Sequence, residues 1–411
     1  MKIIILSSCY PKYSNINHGI FVHQQVKALQ NLGVECHVIQ SINWFPPFGL
    51  NNLHPYWKKG YYQLEDSFTA YEGVTIHHPR VFAKMPSRFF SDHHWDVEGE
   101  AVARYIKKNE KLWNADILYA QFLIHEGYVG TIVKQRTGIP LVSIALGDDV
   151  HAWPEKNPGL IPFLKQTLYK SDLLLANSNA LARDTEKWAD RDHPVTVQTM
   201  YQGIDLVKFK PLGEPDLKAE IRLQFGLDEP KHYLLCVATP VALKGWLNLL
   251  DSIQHLKHKF IDWQLLIVAP KHNAPDALDL EGEAEKRNIA GFVKYMGSVP
   301  HNRMPSLMQA VDAFVLPSHN EGLSNAVIEA MATGLPVIAT DVGGHNEFIS
   351  HRENGILIKP NNTNELIEAL GKVVSTESYR SEIACNAREG AQLIGSYNDN
   401  AIKLKAAFES F

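Results

Sequence analysis

Short apolar runs alternate with helix-patterned stretches through most of this chain, and that alternation restricts the fold more than any other feature. Ala313-Phe314-Val315-Leu316 is one such run, continuously apolar as a strand covered on both faces must be. A polar turn, Ser318 to Gly322, follows it. Ala, Met, Ile and Glu then favour helix from Ser324 to Thr333, with Ser324 or Asn325 placed to cap the start and Gly334 then Pro336 to end it. Val337 to Thr340 begins the next strand. Strand, helix and strand in series imply a parallel sheet with a right-handed crossover.

The same unit opens the chain. Lys2 to Ser7 reads as strand, Phe21, Val22, Val26, Leu29 and Leu32 recur at helical spacing before Gly33, and Glu35 to Gln40 is strand again. Further strands are expected at 117–120, 140–145, 172–176 and 195–200, and, after a glycine and proline cluster at Gly203 to Pro211, at 232–237, 263–268, 292–296 and 355–358. Helices are expected through Val102, Tyr105, Ile106 and Trp113, over 128–136 and 246–256, and in a tail carried by Ile402, Leu404, Ala407 and Phe408. The fold class is α/β with parallel sheets, and 411 residues suffice for two domains with separate cores.

Composition narrows the function. A net charge of −5 argues against a protein that works by gripping nucleic acid. The opening run is too short for a signal peptide, and no apolar stretch approaches the roughly eighteen residues of a spanning helix. The four cysteines, scattered without metal or redox spacing, suit a reducing cytoplasmic compartment. Ser-Cys-Tyr-Pro-Lys-Tyr-Ser after the first strand lacks the glycines of a dinucleotide fingerprint, so a nicotinamide cofactor is not expected.

The chemistry concentrates late. Glu321 falls on a loop at a strand's carboxyl end and Glu329 inside the helix that follows, in a crevice where open α/β sheets bind ligands. A helix start offers unpaired N–H groups to a phosphate, Glu329 could accept from ribose hydroxyls, and Glu321 could face a sugar. Lys244-Gly245 opens another helix after strand 232–237 and supplies an ammonium for a diphosphate. Taken singly, each of these is an ordinary surface residue. Asp148-Asp149 suggests a metal pair, but lysine and helix starts can neutralise a diphosphate without an ion, so no metal is expected.

Context decides between these readings. Pro-Ser-x-x-Glu-Gly-Leu-Ser-Asn, Glu-Ala-Met-Ala and Gly-Leu-Pro-Val-Ile-Ala-Thr-Asp-x-Gly-Gly, running from Pro317 to Glu347, closely resemble the donor-site signature of retaining family 4 glycosyltransferases. The resemblance implies a GT-B fold, two Rossmann-like parallel-sheet domains facing each other across a cleft. It places residues 1–205 on the acceptor side, with a last helix from about 396 to 411 crossing back, and 206–395 on the nucleotide-sugar side. The boundary follows the segment Gly203-Ile204-Asp205-x3-Phe209-x-Pro211, similar to one the family carries between its domains.

The resemblance further implies transfer of a hexose with retention, without a cofactor, to a glycan, lipid-linked or small-molecule acceptor. Glu321 would orient the reacting sugar, and Asp149 would act on the sugar or the acceptor from the opposite wall. Lys244, Glu329, Gly322, Leu323, Ser324, Asn325, Thr239, Ser298, Val299 and, in the first domain, Gly19 would bind substrate, and Gly343-Gly344 before Glu347 matches a family turn. Two positions depart from the pattern. Ala238-Thr239 stands where the family has Gly-Arg, and Leu146 where it often has His or Arg, leaving His18, His125 and His151 as substitutes. A degenerate binding subunit, an epimerase or a phosphorylase would keep the same fold. Cations and aromatics from Arg80 to Arg88, with Phe82, Phe89 and Phe90, suit either a packed loop or contact with the inner face of a membrane.

Overall fold

A computed structural model of the chain describes residues 1–44, 65–82, 95–214, 216–228, 230–270 and 277–411. These form two compact units, Met1–Gln202 with Tyr397–Phe411, and Gly203–Ser396.

In the first unit eight strands form one sheet in the order Val197–Thr199, Leu173–Ala176, Leu141–Ala145, Ile117–Gln121, Lys2–Leu6, Glu35–Ile39, Val74–His77, Ala70–Tyr71. Neighbours pair in parallel except at the Ala70–Tyr71 edge. Side chains alternate across a strand, so each apolar run feeds two cores. Ile3, Ile5, Tyr119, Val142 and Ile144 pack with Val22, Val26 and Leu29 of helix Ile20–Asn31. Ile4, Leu6, Leu118, Ala120 and Leu141 face the other way, onto Val102 and Ile106 of helix Trp95–Lys108 and Val129 and Val133 of helix Tyr128–Thr137. That two-sided burial is why these strands read as unbroken apolar runs.

Helix Tyr397–Phe408 belongs to the first unit although it lies at the chain's end. Ala401, Leu404 and Phe408 join the core of Ile3 and Ile5, and the Phe408 ring meets Tyr119 edge-on at 5.3 Å.

The second unit holds six parallel strands in the order Val293–Gly297, Trp263–Val268, His232–Val237, Ala313–Leu316, Val337–Thr340, Ile356–Ile358. Counted along the chain this is 3-2-1-4-5-6, the doubly wound arrangement. The order reverses between His232–Val237 and Ala313–Leu316, so the connections leaving those two strands diverge to opposite sides and leave a crevice at their carboxyl ends.

Several helices escaped the pattern reading, among them Ile161–Lys170, Asn179–Glu186, Thr363–Ser375 and Glu377–Ile394. In Glu377–Ile394 the buried face is Ile383, Ala387, Gly390, Ala391 and Ile394, mostly residues too small to mark an apolar stripe. The helix expected through Trp113 is two, because the Asn109 side chain accepts from Lys111 N–H and starts Glu110–Trp113 afresh. Among the described residues no helix is long and apolar enough to cross a membrane. Residues 83–90, which hold most of the cation and aromatic stretch, lie outside the described residues.

Truncating the tail helix should expose its contribution. Phe408→Ala is expected to cost about 3–5 kcal/mol, the usual loss for a fully buried phenyl ring. Urea unfolding followed by a first-unit tryptophan should show it, and an unchanged midpoint would remove the tail from that core.

Candidate functional site

The second unit's crevice is assembled by two loops that approach unusually closely. After strand His232–Val237 the chain makes a tight turn at Ala242–Lys244 and enters helix Trp246–Leu256 through Gly245, at φ +71°. A Cβ on Gly245 would lie 1.9 Å from the Pro317 carbonyl oxygen, so only glycine admits this contact. His319 N–H donates to the Leu243 carbonyl at 2.8 Å and ties the loops together. Behind them Gly343, at φ +55°, passes so near that a Cβ would sit 2.2 Å from the Glu321 carbonyl oxygen, and Gly344 N–H donates to the Gly322 carbonyl at 2.9 Å. The paired glycines thus hold the Glu321 loop in place.

This packing brings together Lys244 and Glu321, which are 77 residues apart. Lys244 Nζ donates to Glu321 Oε1 at 2.8 Å, and Ser318 Oγ donates to the same oxygen at 2.7 Å. Both side chains keep some exposure, 22% for Lys244 and 12% for Glu321, so the pair is desolvated on one side only. His345, which follows the glycines, is wholly buried. Its Nδ1–H donates to the Thr340 carbonyl at 2.8 Å, and burial lowers its pKa, leaving a neutral ring beside the Lys244–Glu321 pair.

Helix Asn325–Ala332 starts directly after this loop. Ser324 is its N-cap but makes no side-chain cap hydrogen bond, and no acidic residue occupies the first turn. The helix itself thus supplies neither a capping side chain nor a carboxylate to the amides at its start, an arrangement suited to an anion. Gly322, Leu323 and Ser324 are buried in the wall, and Asn325 is half-buried. Glu329 lies one turn further in, buried, with Oε1 2.9 Å from His301 Nε2.

His301 is a site residue the sequence did not announce. It stands just beyond Ser298-Val299-Pro300, at the carboxyl end of strand Val293–Gly297, where only its neighbours had been marked. Burial alone would lower its pKa, but the Glu329 hydrogen bond and charge outweigh that and raise it. Ser298 is exposed and Val299 buried. Thr239 is exposed too, and its carbonyl accepts from the Trp246 indole at 2.8 Å.

In the first unit the marked residues separate. Gly19, buried at φ +65°, starts helix Ile20–Asn31, and a Cβ there would meet the Cys9 carbonyl oxygen at 2.1 Å. Asp149 is not an open carboxylate. It is 0% exposed, and its oxygens accept from the amides of Leu123 at 2.7 Å, Leu146 at 3.1 Å and Gly147 at 2.9 Å. Burial pushes its pKa up to about 6 against the pull of those amides. His18 is bound to the Tyr10 carbonyl and His151 to Asp184. His125 sits between two glutamates, with Nε2 2.8 Å from Glu98 and Nδ1 3.6 Å from Glu126. Among the described residues no group of three or more His, Cys, Asp or Glu is placed to hold a metal.

Residues 218–390 match the family model described as Glycosyl transferases group 1. The second unit carries a group 1 glycosyltransferase domain. Across its full length the chain is 27% identical to the putative teichuronic acid biosynthesis glycosyltransferase TuaC of Bacillus subtilis, covering 98% of that protein. Its structure matches sucrose-phosphate synthase from Thermosynechococcus elongatus with a TM-score of 0.79 at 19% identity, covering 100% of this chain and 98% of that one. It matches HepE of Anabaena in complex with UDP-glucose with a TM-score of 0.73 at 19% identity, over 100% of both. The fold is GT-B, and the chain is a glycosyltransferase.

The His301–Glu329 pair in this glycosyltransferase should titrate visibly. A histidine raised above 6.5 in the folded state adds stability that is full below pH 6.5 and lost as pH rises through the higher folded value. Glu329→Gln should return the His301 pKa, followed by NMR, toward or below 6.5 and flatten that part of the stability profile. An unmoved His301 titration would mean the pair does not form in solution.

Proposed function

We propose that this glycosyltransferase transfers a hexose from a nucleotide-sugar to an acceptor hydroxyl with retention at the anomeric carbon, without a metal ion. The observation that carries the reading is Lys244 held against Glu321 beside an unanswered helix start, at the reversal point of the second sheet. An ammonium and a row of free amides suit a diphosphate, and a carboxylate next to them suits sugar hydroxyls. Glu329, oriented by His301, accepts from the ribose. Ser298 and Val299 lie where backbone groups meet the base, and Gly322 to Asn325 line the phosphates.

In this scheme Lys244 is paired with Glu321 before the donor arrives and turns to the diphosphate once it binds. As the sugar–phosphate bond breaks, positive charge grows at the anomeric carbon and negative charge on the departing diphosphate. Lys244 and the helix start, already aimed, stabilise the leaving charge with little reorganisation. Glu321 holds the sugar. Asp149 acts by positioning the loops around Leu123 and Gly147 rather than by touching substrate. HepE's complex with UDP-glucose and TuaC's name support a nucleotide-sugar donor and a role in polysaccharide synthesis.

Lys244→Ala should weaken nucleoside-diphosphate binding about tenfold or more, the loss of one charge-assisted contact. Calorimetry across UDP, GDP, ADP and CMP, with their sugar derivatives, measures this and names the base. An unchanged affinity would take Lys244 out of the site. Transfer should persist in chelator and the product should keep the donor's anomeric configuration by proton NMR. Loss of activity that magnesium restores would overturn the metal-free reading.

A further inference from the structure

The first unit carries a second polar cluster that the donor chemistry does not use. Strands Lys2–Leu6 and Ile117–Gln121 are adjacent, and their carboxyl ends lead to Ser7-Ser8 and to a five-residue π-turn, Leu123–Gly127. The turn is entered through Phe122 at φ +84°, a conformation costly for a bulky side chain. The surroundings enforce it. Asp149 takes the Leu123 N–H, Thr167 Oγ1 donates to the Leu123 carbonyl at 2.7 Å, and Gly127 N–H closes on the Phe122 carbonyl.

The strained turn presents His125 and Glu126 to a cavity of about 40 Å³, bordered also by Ser8, Ser41 and Glu98. Glu126 is 4% exposed, and its Oε1 accepts from Ser8 N–H at 2.7 Å. Among the described residues its Oε2 has no hydrogen-bond partner. Glu98 accepts from Ser41 Oγ and from His125 Nε2. Burial opposes charge on both His125 and Glu98, yet Glu126 and then Glu98 raise the His125 pKa, and His125 with Ser41 lowers that of Glu98. The cluster sets two acidic side chains, Glu98 and Glu126, around one histidine. Ser8 is exposed and His125 a quarter exposed, so the cavity lies close to the surface.

We propose that Glu126, held by Ser8 and His125, is the seat of the acceptor hydroxyl, and that it takes a neutral sugar rather than an anionic one. The cavity has room for one water-sized group. A buried carboxylate oxygen with no partner costs free energy until a donor reaches it, and a sugar hydroxyl that displaces solvent supplies that hydrogen bond. A carboxylate or phosphate brought to the same place meets like charge. The assignment of the occupant as acceptor rests on the glycosyltransferase reading, whereas the seat itself can be measured without a donor.

Ligand-observed NMR on the full chain, free of nucleotide, tests it with methyl glycosides of neutral hexoses and N-acetylhexosamines against those of glucuronic and galacturonic acid. Neutral glycosides should bind and the uronides should bind at least tenfold more weakly. Glu126→Gln keeps the shape but turns the accepting oxygen into a donor, so it should weaken neutral-glycoside binding about tenfold. Glu126→Asp changes the shape but keeps the chemistry, and should weaken it less. A merely structural glutamate gives the reverse ranking. Both variants should bind nucleoside diphosphate as the wild type does, which also certifies their fold. Binding of no neutral glycoside, equal binding of uronides, or indifference to Glu126→Gln would overturn the seat. Loss of nucleotide binding in the wild type would instead sink the donor reading.

Discussion

The contact between Gly245 and the Pro317 carbonyl is the constraint on which the donor site depends. A parallel sheet that reverses its winding leaves a gap between two strand ends, but a gap alone is not a site. Two loops 77 residues apart must close to within hydrogen-bond reach across it; a side chain at residue 245 would hold them apart, and one at residue 343 would press on the Glu321 loop from behind. With glycine there, an ammonium and a carboxylate that would otherwise be solvated are brought to 2.8 Å in a partly dry place. Such a pair gains little stability by itself, since desolvation offsets much of its attraction. Its value is readiness: the cation is already positioned where a diphosphate would need it.

The same logic of enforced geometry recurs in the first unit with different parts. There a buried aspartate gives its oxygens to backbone amides, and the reward is a strained π-turn that carries His125 and Glu126. Asp149 shapes this turn much as Gly343-Gly344 shapes the Glu321 loop. In each unit the groups with unanswered hydrogen-bonding capacity, the helix start at Asn325 and Glu126 Oε2, sit at the carboxyl ends of central strands.

Much of this was legible because burial on both faces writes strands as uninterrupted apolar runs, and the runs at His232–Val237, Trp263–Val268, Ala313–Leu316 and Val337–Thr340 were located to the residue. Glu321, Glu329 and Lys244 were singled out by the family resemblance, together with their places on loops after strands and at helix starts. The partners were not. His301 is one of 19 histidines, and nothing in its local pattern says that Glu329 lies within 2.9 Å. The burial of Asp149 was hidden for the same reason, since a carboxylate's exposure depends on which amides fold around it. Helices faced with alanine and glycine, such as Glu377–Ile394, hid because packing by small residues leaves no strong periodicity.

Hydrogen–deuterium exchange with and without a bound nucleotide-sugar tests the central claim most directly. If the Lys244 turn and the start of helix Asn325–Ala332 hold the diphosphate between them, the amides of 242–246 and 322–327 should slow together on binding. Protection of one segment without the other, or protection confined to the first unit, would contradict it.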